Sequence, residues 1–270
     1  MIKVVVTGAA GRMGSRLVSL VKDSAFLTLV GAVEGKGHHA VGEDSGEVAG
    51  CGRTGVPIVD DLSSVMERGE VVIDFTTPSA TLGHLKIVAQ YRRGIVIGTT
   101  GFSASELDEL RNVSRQIPCV FSPNMSVGVN VMLKVLEYCA GILYEDYDVE
   151  IVEAHHHLKK DAPSGTAMQM ARVIAGRLGR DLDKEAVYER RGMIGERTKR
   201  EIGIQTIRAG DIVGEHTVIF GGIGERLEFI HRAQSRDNFA KGAIRAAQWI
   251  VKQKNGLYDM QDVLGLRDSR

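Results

Sequence analysis

The chain has 270 residues, 43% hydrophobic and 25% charged, with 34 Lys plus Arg against 34 Asp plus Glu. That profile excludes a disordered or fibrous protein, and a formal net charge of zero leaves no global field to draw the chain to nucleic acid or an anionic membrane. The length suits two modest domains, and the three cysteines, Cys51, Cys119 and Cys139, lack a C-x-x-C pair and read as reduced thiols.

The apolar run at residues 2–6 breaks at Gly8, too short for a secretion signal. No stretch reads as the roughly 20 apolar residues of a membrane helix, so a cytoplasmic address is expected. From residue 2 to about 125, short β-branched runs alternate with segments of helical period, the βαβ pattern of a parallel sheet covered on both faces. Strands are expected at 3–7, 27–33, 71–75, 95–98 and 119–122, with helices near 12–23, 79–91 and 103–115. The last of these opens on a capping box of Ser103 and Glu106. Residues 35–55 hold seven glycines and little apolar periodicity, so they form a loop. It leaves the second strand where the adenosine half of a dinucleotide sits in a doubly wound fold.

After Pro123 the pattern changes to a helix at 127–143, a strand at 147–155, a helix at 164–178 and several strands between 185 and 234. The runs 202–207, 216–220 and 226–231 alternate partially, as in a sheet with one wetter or partner-covered face. A last helix near 238–252 can return to the first domain, although the sequence does not show where it docks. The expected fold is α/β. A Rossmann-like doubly wound parallel sheet (1–126 plus 237–270) binds a dinucleotide, and an α+β domain with a mixed or antiparallel sheet (127–236) serves substrate binding and oligomerisation.

The first strand runs into Gly8-Ala9-Ala10-Gly11-Arg12-Met13-Gly14, a glycine turn that opens a helix. Glycine lets the backbone approach a pyrophosphate, whose charge meets free N–H groups at the helix start. Glu34, twenty residues past Gly14, can accept both hydrogen bonds of an adenine ribose diol. That acid favours NADH, whereas Arg12, Lys36, His38 and His39 offer cations to the 2′-phosphate of NADPH, so use of both is expected. Two hydroxyl-rich turns, 74–78 and 98–101, fall at the same edge of the sheet and suit the nicotinamide end.

Residues 150–167 bring together His155, His156, His157, Lys159, Lys160 and Pro163-Ser164-Gly165-Thr166. Ser164 is a candidate N-cap, whose helix start would meet an anion, most naturally a carboxylate. Lys159 can pair with that carboxylate or donate a proton, and His155 can exchange one near neutral pH. Successive side chains in an extended segment alternate faces, so the three histidines do not make a ligand set and no metal is expected.

This segment resembles the pattern of the dihydrodipicolinate (4-hydroxy-tetrahydrodipicolinate) reductase family, from Glu150 and Glu153 through His155, Lys159 and Asp161 to Pro163-Ser164-Gly165-Thr166-Ala167. One extra residue separates the first two acids. Further runs agree with the family, including Asp74-Phe75-Thr76, Gly98-Thr99-Thr100-Gly101, 122–130 and 208–216. The resemblance implies NADH- or NADPH-dependent reduction of a cyclic dicarboxylate in lysine and diaminopimelate synthesis. It further implies His155 as acid/base residue, Lys159 as proton donor, and His156, Gly165 and Thr166 as substrate binders. The implied cofactor positions are Gly8 to Met13, Glu34, Gly98, Thr99, Thr100, Ser122, Pro123, Asn124 and Met125, and the implied assembly is a homotetramer joined through the second sheet. Where relatives carry an arginine after the acid, this chain has Gly35-Lys36. Two rivals are a Tyr-x-x-x-Lys dehydrogenase, whose pair is absent from the sequence, and a regulator that binds NAD(H) without chemistry.

Overall fold

The computed structural model describes residues 1–267, which divide into two compact units: Met1–Val127 with the chain from Asp237 onward, and Gly128–Arg236. In chain order the first segment forms β1 (Ile2–Thr7), α1 (Arg12–Lys22), β2 (Leu27–Val33), α2 (Ser45–Val48), β3 (Ile58–Val59), α3 (Ser63–Met66), β4 (Val71–Asp74), α4 (Pro78–Gln90), β5 (Gly94–Ile97), α5 (Ala104–Val113) and β6 (Pro118–Phe121). Then follow α6 (Val127–Leu143), β7 (Asp148–His155), α7 (Gly165–Leu178), α8 (Leu182–Glu185), β8 (Ala186–Val187), β9 (Ile202–Arg208), β10 (Gly214–Gly221) and β11 (Arg226–Ala233). The chain ends with α9 (Asp237–Ile250), β12 (Gly256–Tyr258) and α10 (Met260–Leu264).

In the first unit the strand order is β12-β6-β5-β4-β1-β2-β3, every pair parallel. The order reverses beside β1, which places the glycine turn at the switch point where doubly wound sheets bind ligands. Alternate residues explain the uninterrupted apolar runs. Val4, Val6, Ile73, Val96 and Val120 face the core shared with Leu17 of α1 and Ala243 and Ala247 of α9. Val5, Val72, Ile95, Ile97 and Cys119 face the core shared with Leu85 of α4 and Leu110 of α5. The helix expected near 238–252, α9, therefore docks on the first unit through a stripe of small residues.

The expected loop at 35–55 is folded around one side chain. The Asp44 carboxylate accepts from the N–H groups of Gly46, Glu47, Thr54 and Gly55 and from the Thr54 hydroxyl. These donors, the Thr54 N–H foremost, hold its carboxyl well below the usual range.

In the second unit the order is β11-β10-β7-β9-β8, antiparallel across β11, β10 and β7 and parallel across β7, β9 and β8. Ile151, Val218 and Ile204 pack with Met132 and Leu136 of α6 and Met170 and Ile174 of α7. Contrary to the expectation from sequence, one stretch, Val127–Asp146, is long and apolar enough to cross a membrane by length and composition. One face of it, Val129, Met132, Leu133, Leu136 and Ala140, is buried in this core, which accounts for its apolar composition.

Candidate active site

The nucleotide end is built from three turns on the first unit. Gly8 turns the chain with φ +62°, and Gly11 is the N-cap of α1 and contributes no side-chain cap. A Cβ on Gly14 would stand 1.9 Å from the Gly8 carbonyl oxygen, so turn and helix close on each other only because that position is bare. Glu34 Oε1 accepts from the Ala10 N–H at 2.9 Å, which fixes the acid against the turn. Such a turn and acid fit a dinucleotide.

The other two turns are tied by one buried carboxylate. Asp74 Oδ1 accepts from the Thr76 N–H and from the hydroxyls of Thr76, Thr81 and Thr99, while Oδ2 lies 2.6 Å from His84 Nδ1. Burial pushes the Asp74 carboxyl up, but His84 and Thr76 outweigh it and hold the group below its ordinary range. The Thr99 hydroxyl is thus spent on Asp74, and the Ala9 and Met125 side chains are core, which leaves these three positions their backbone for a ligand. Ser122 turns its hydroxyl to the Asn124 carbonyl, and Asn124 accepts from the Ser126 N–H, which shapes the segment 122–125.

On the second unit, strand register places the chemistry in two adjacent rows on the helix-covered face. One row runs His231, His216, Glu153, Thr206 across β11, β10, β7 and β9. In the next, His155 on β7 stands beside Arg208 on β9, and on the other side Gly214 leaves room for its ring: a Cβ there would lie 3.0 Å from His155 Nε2. Glu153 is fully buried and accepts from His155 Nδ1 at 2.6 Å, the Ser164 N–H at 3.0 Å, the Thr206 hydroxyl at 3.2 Å and both Arg208 terminal nitrogens at 2.9 and 2.8 Å. Burial pushes the Glu153 carboxyl up; the His155 and Arg208 hydrogen bonds pull it further the other way, down to about 2.

Ser164 is the N-cap of α7, its hydroxyl accepting from the Ala167 N–H and lying 3.0 Å from His216 Nε2. Burial, with His155 and His231 nearby, pushes the His216 imidazole down to about 3, so it is neutral. Lys159 is held by both Asp161 oxygens at 2.7 and 2.9 Å, and its charge is felt at His156 and His216. His157 turns its Nδ1 to the Gly210 carbonyl, outside the cluster. His156 is held below its ordinary value by burial and by Arg236.

The structure therefore brings His155, Lys159, His156 and the α7 start at Gly165 and Thr166 into one neighbourhood around Glu153. Arg208, Thr206, His216 and Gly214 belong to it without having been read as functional. Arg208, Gly214 and His216 fall in the run 208–216 that agrees with the family, and Glu153 lies two positions from His155 in a strand and hence on the same face.

A doubly wound nucleotide-binding unit joined in one chain to a unit carrying a buried acid/base cluster and a capped helix start defines a two-part, nucleotide-dependent reductase. The family model described as dihydrodipicolinate reductase, N-terminus, matches residues 2–125, and its C-terminal counterpart matches residues 128–264. The chain belongs to the dihydrodipicolinate reductase family. The 4-hydroxy-tetrahydrodipicolinate reductase of Syntrophus aciditrophicus (strain SB) is 59% identical over 267 residues, 99% of this chain and 100% of that protein. The protein of the same name from Geobacter sulfurreducens is 56% identical over the same shares. Among solved structures, a dipicolinate-bound dihydrodipicolinate reductase from Paenisporosarcina sp. TG-14 superposes with a TM-score of 0.77 at 25% identity, covering 97% of this chain and 98% of that one.

Proposed function

We infer that this chain reduces 4-hydroxy-tetrahydrodipicolinate to tetrahydrodipicolinate in lysine and diaminopimelate biosynthesis, with NADH or NADPH as the reductant and the 4-hydroxyl lost as water. When bound, the nicotinamide supplies a hydride. The chain's own residues supply the rest: orientation, carboxylate neutralisation and a proton. Lys159 donates the proton to the reduced ring, and His155 is the neighbouring acid/base residue. His156, Gly165 and Thr166 receive the substrate carboxylates at the start of α7, where helix-terminal N–H groups favour an anion. The single observation that carries this reading is the sharing of one buried carboxylate, Glu153, by the His155 imidazole and the first residue of that helix cap, Ser164.

On the first unit the pyrophosphate goes to the turn from Gly8 to Met13, the adenosine ribose to Glu34, and the nicotinamide half to Gly98, Thr99, Thr100 and residues 122–125, Ser122 through Pro123 and Asn124 to Met125. Arg12 and Lys36 are both exposed and serve the 2′-phosphate of NADPH.

A homotetramer is supported by the uncovered face of the second sheet. There Val152, Thr217 and Ile230 form one cross-strand row, Ala154 and Ile207 lie in the next, and Ile207 and Ile230 are 48% and 50% exposed. The catalytic reading is tested by the double variant His155→Gln with Lys159→Met. Turnover should fall by about 10³-fold or more while NADH affinity stays within a factor of about two. Full turnover would remove both residues from the mechanism.

A further inference from the structure

The Glu153 oxygens receive hydrogens from five donors on four residues, and nothing about that arrangement is needed to fold a strand. A buried carboxylate this well supplied is ionised, and an ionised carboxylate only accepts. Whatever its charge, His155 must therefore carry a hydrogen on Nδ1, the nitrogen 2.6 Å from Glu153 Oε2. Nε2, beside Gly214, is then the nitrogen that gains and loses the exchangeable proton.

Arg208 locks the carboxylate with a two-pronged contact, Nη1 to Oε2 and Nη2 to Oε1. The same guanidinium reaches on to the Asp161 carbonyl at 2.6 Å, and the Asp161 carboxylate holds Lys159. One chain of contacts thus runs His155, Glu153, Arg208, Asp161, Lys159, with Ser164 attached at Glu153.

Building on the assignment of His155 as the acid/base residue, we infer that Glu153, clamped by Arg208, is the positioning residue of the site. It fixes the His155 tautomer so that Nε2 faces the reaction, and it sets the start of α7 and the Lys159 segment in register with that nitrogen.

The groups facing His155 from each packed element are Glu153 on its own strand, Arg208 on β9, His216 on β10 at a ring separation of 5.2 Å with His231 behind it on β11, and Lys159 and His156 from the following segment. Arg208 and Lys159 are cations and His216 is neutral. Among these, Glu153 alone stabilises the imidazolium.

The test uses the full-length protein and its Glu153→Gln variant, with ¹⁵N-histidine NMR of the imidazoles and the pH dependence of kcat. In the wild type, His155 should show the Nδ1–H tautomer when neutral. In E153Q that tautomer should be lost or mixed, the His155 limb of the kcat profile should move to lower pH, and kcat should fall about 100-fold with NADH affinity unchanged. A merely structural role would lower the melting temperature and leave tautomer and limb in place, and that result would overturn the inference. Should E153Q not fold, Glu153→Asp keeps the charge but withdraws the acceptor from Nδ1, and the same two readouts apply. A His155→Gln enzyme with full turnover would instead defeat the acid/base reading itself, a separate outcome.

Discussion

Glu153 and His155 lie two residues apart on β7, so both project to the helix-covered face, with carboxylate and imidazole 2.6 Å apart. Period-two geometry thus makes an acid and a base neighbours by local sequence alone. The neighbouring strands complete the pair: Arg208 on β9 neutralises the acid, and Gly214 on β10 makes space for the base.

Gly214 is accordingly a position where a single methyl group should register in the chemistry. In Gly214→Ala the new Cβ would stand 3.0 Å from His155 Nε2 and 3.4 Å from Cδ2, so the ring must shift. We expect kcat to fall by about 10- to 100-fold, as for a displacement of a few tenths of an ångström to 1 Å in a catalytic group, with NADH affinity unchanged. Steady-state kinetics alongside a cofactor titration check this; a wild-type kcat would mean that the ring does not work in the position described.

The buried His216 should leave a mark on stability. Burial pushes its imidazole down to about 3, whereas in the unfolded chain it titrates near ~6.5. Between those values the unfolded state binds more protons, so the contribution is complete above pH ~6.5 and is lost as pH falls toward 3. His231, also held down by burial, acts in the same direction. Unfolding free energies from urea titrations between pH 6.5 and 5, above the range of ordinary carboxylates, should fall with a slope approaching about 1.4 kcal/mol per pH unit for one such group. In His216→Gln this slope should flatten, and an unaltered slope would contradict the assignment.

Gly14→Ala tests the nucleotide turn. The added Cβ would meet the Gly8 carbonyl oxygen at 1.9 Å, its carbon at 2.6 Å and Ala9 Cα at 2.8 Å, all backbone atoms with little room to yield. Overpacking of this kind costs about 1–3 kcal/mol. Urea unfolding should show that loss, and fluorescence titration should show NADH affinity lowered at least about 10-fold. Retained affinity would place the pyrophosphate elsewhere.

Lys36 follows Glu34 at a distance of two residues and is exposed. Lys36→Ala should raise the KM for NADPH by about 5- to 10-fold, the value of roughly 1 kcal/mol expected for an exposed cation and phosphate, and leave that for NADH alone. A variant that loses NADH while NADPH is unaffected would rule out this division of labour between Glu34 and Lys36.

Much of this was legible in the chain because the controlling physics is local. Strands such as Val71–Asp74 are covered on both faces and read as apolar runs, and the Ser103 capping box and the Ser164 cap are contained within four residues. What was not legible is long-range or too short to carry a period. Arg208 meets Glu153 across 55 residues and Thr99 meets Asp74 across 25, and no spacing announces either. The edge strands β3 and β12, of two and three residues, have no alternation to detect. The segment after Glu34 read as open loop because its order comes from the Asp44 carboxylate and from Ala40, Val41, Val48 and Cys51 docking on the core, at spacings with no regular period.

The most direct test is turnover itself. Oxidation of NADH and of NADPH should be followed in parallel at 340 nm, with the unstable substrate generated in place from pyruvate and aspartate semialdehyde by its synthase. Substrate-dependent oxidation of both cofactors is the predicted result. Tight binding of either nucleotide with no oxidation when the substrate is supplied would contradict the assignment of this chain as a 4-hydroxy-tetrahydrodipicolinate reductase.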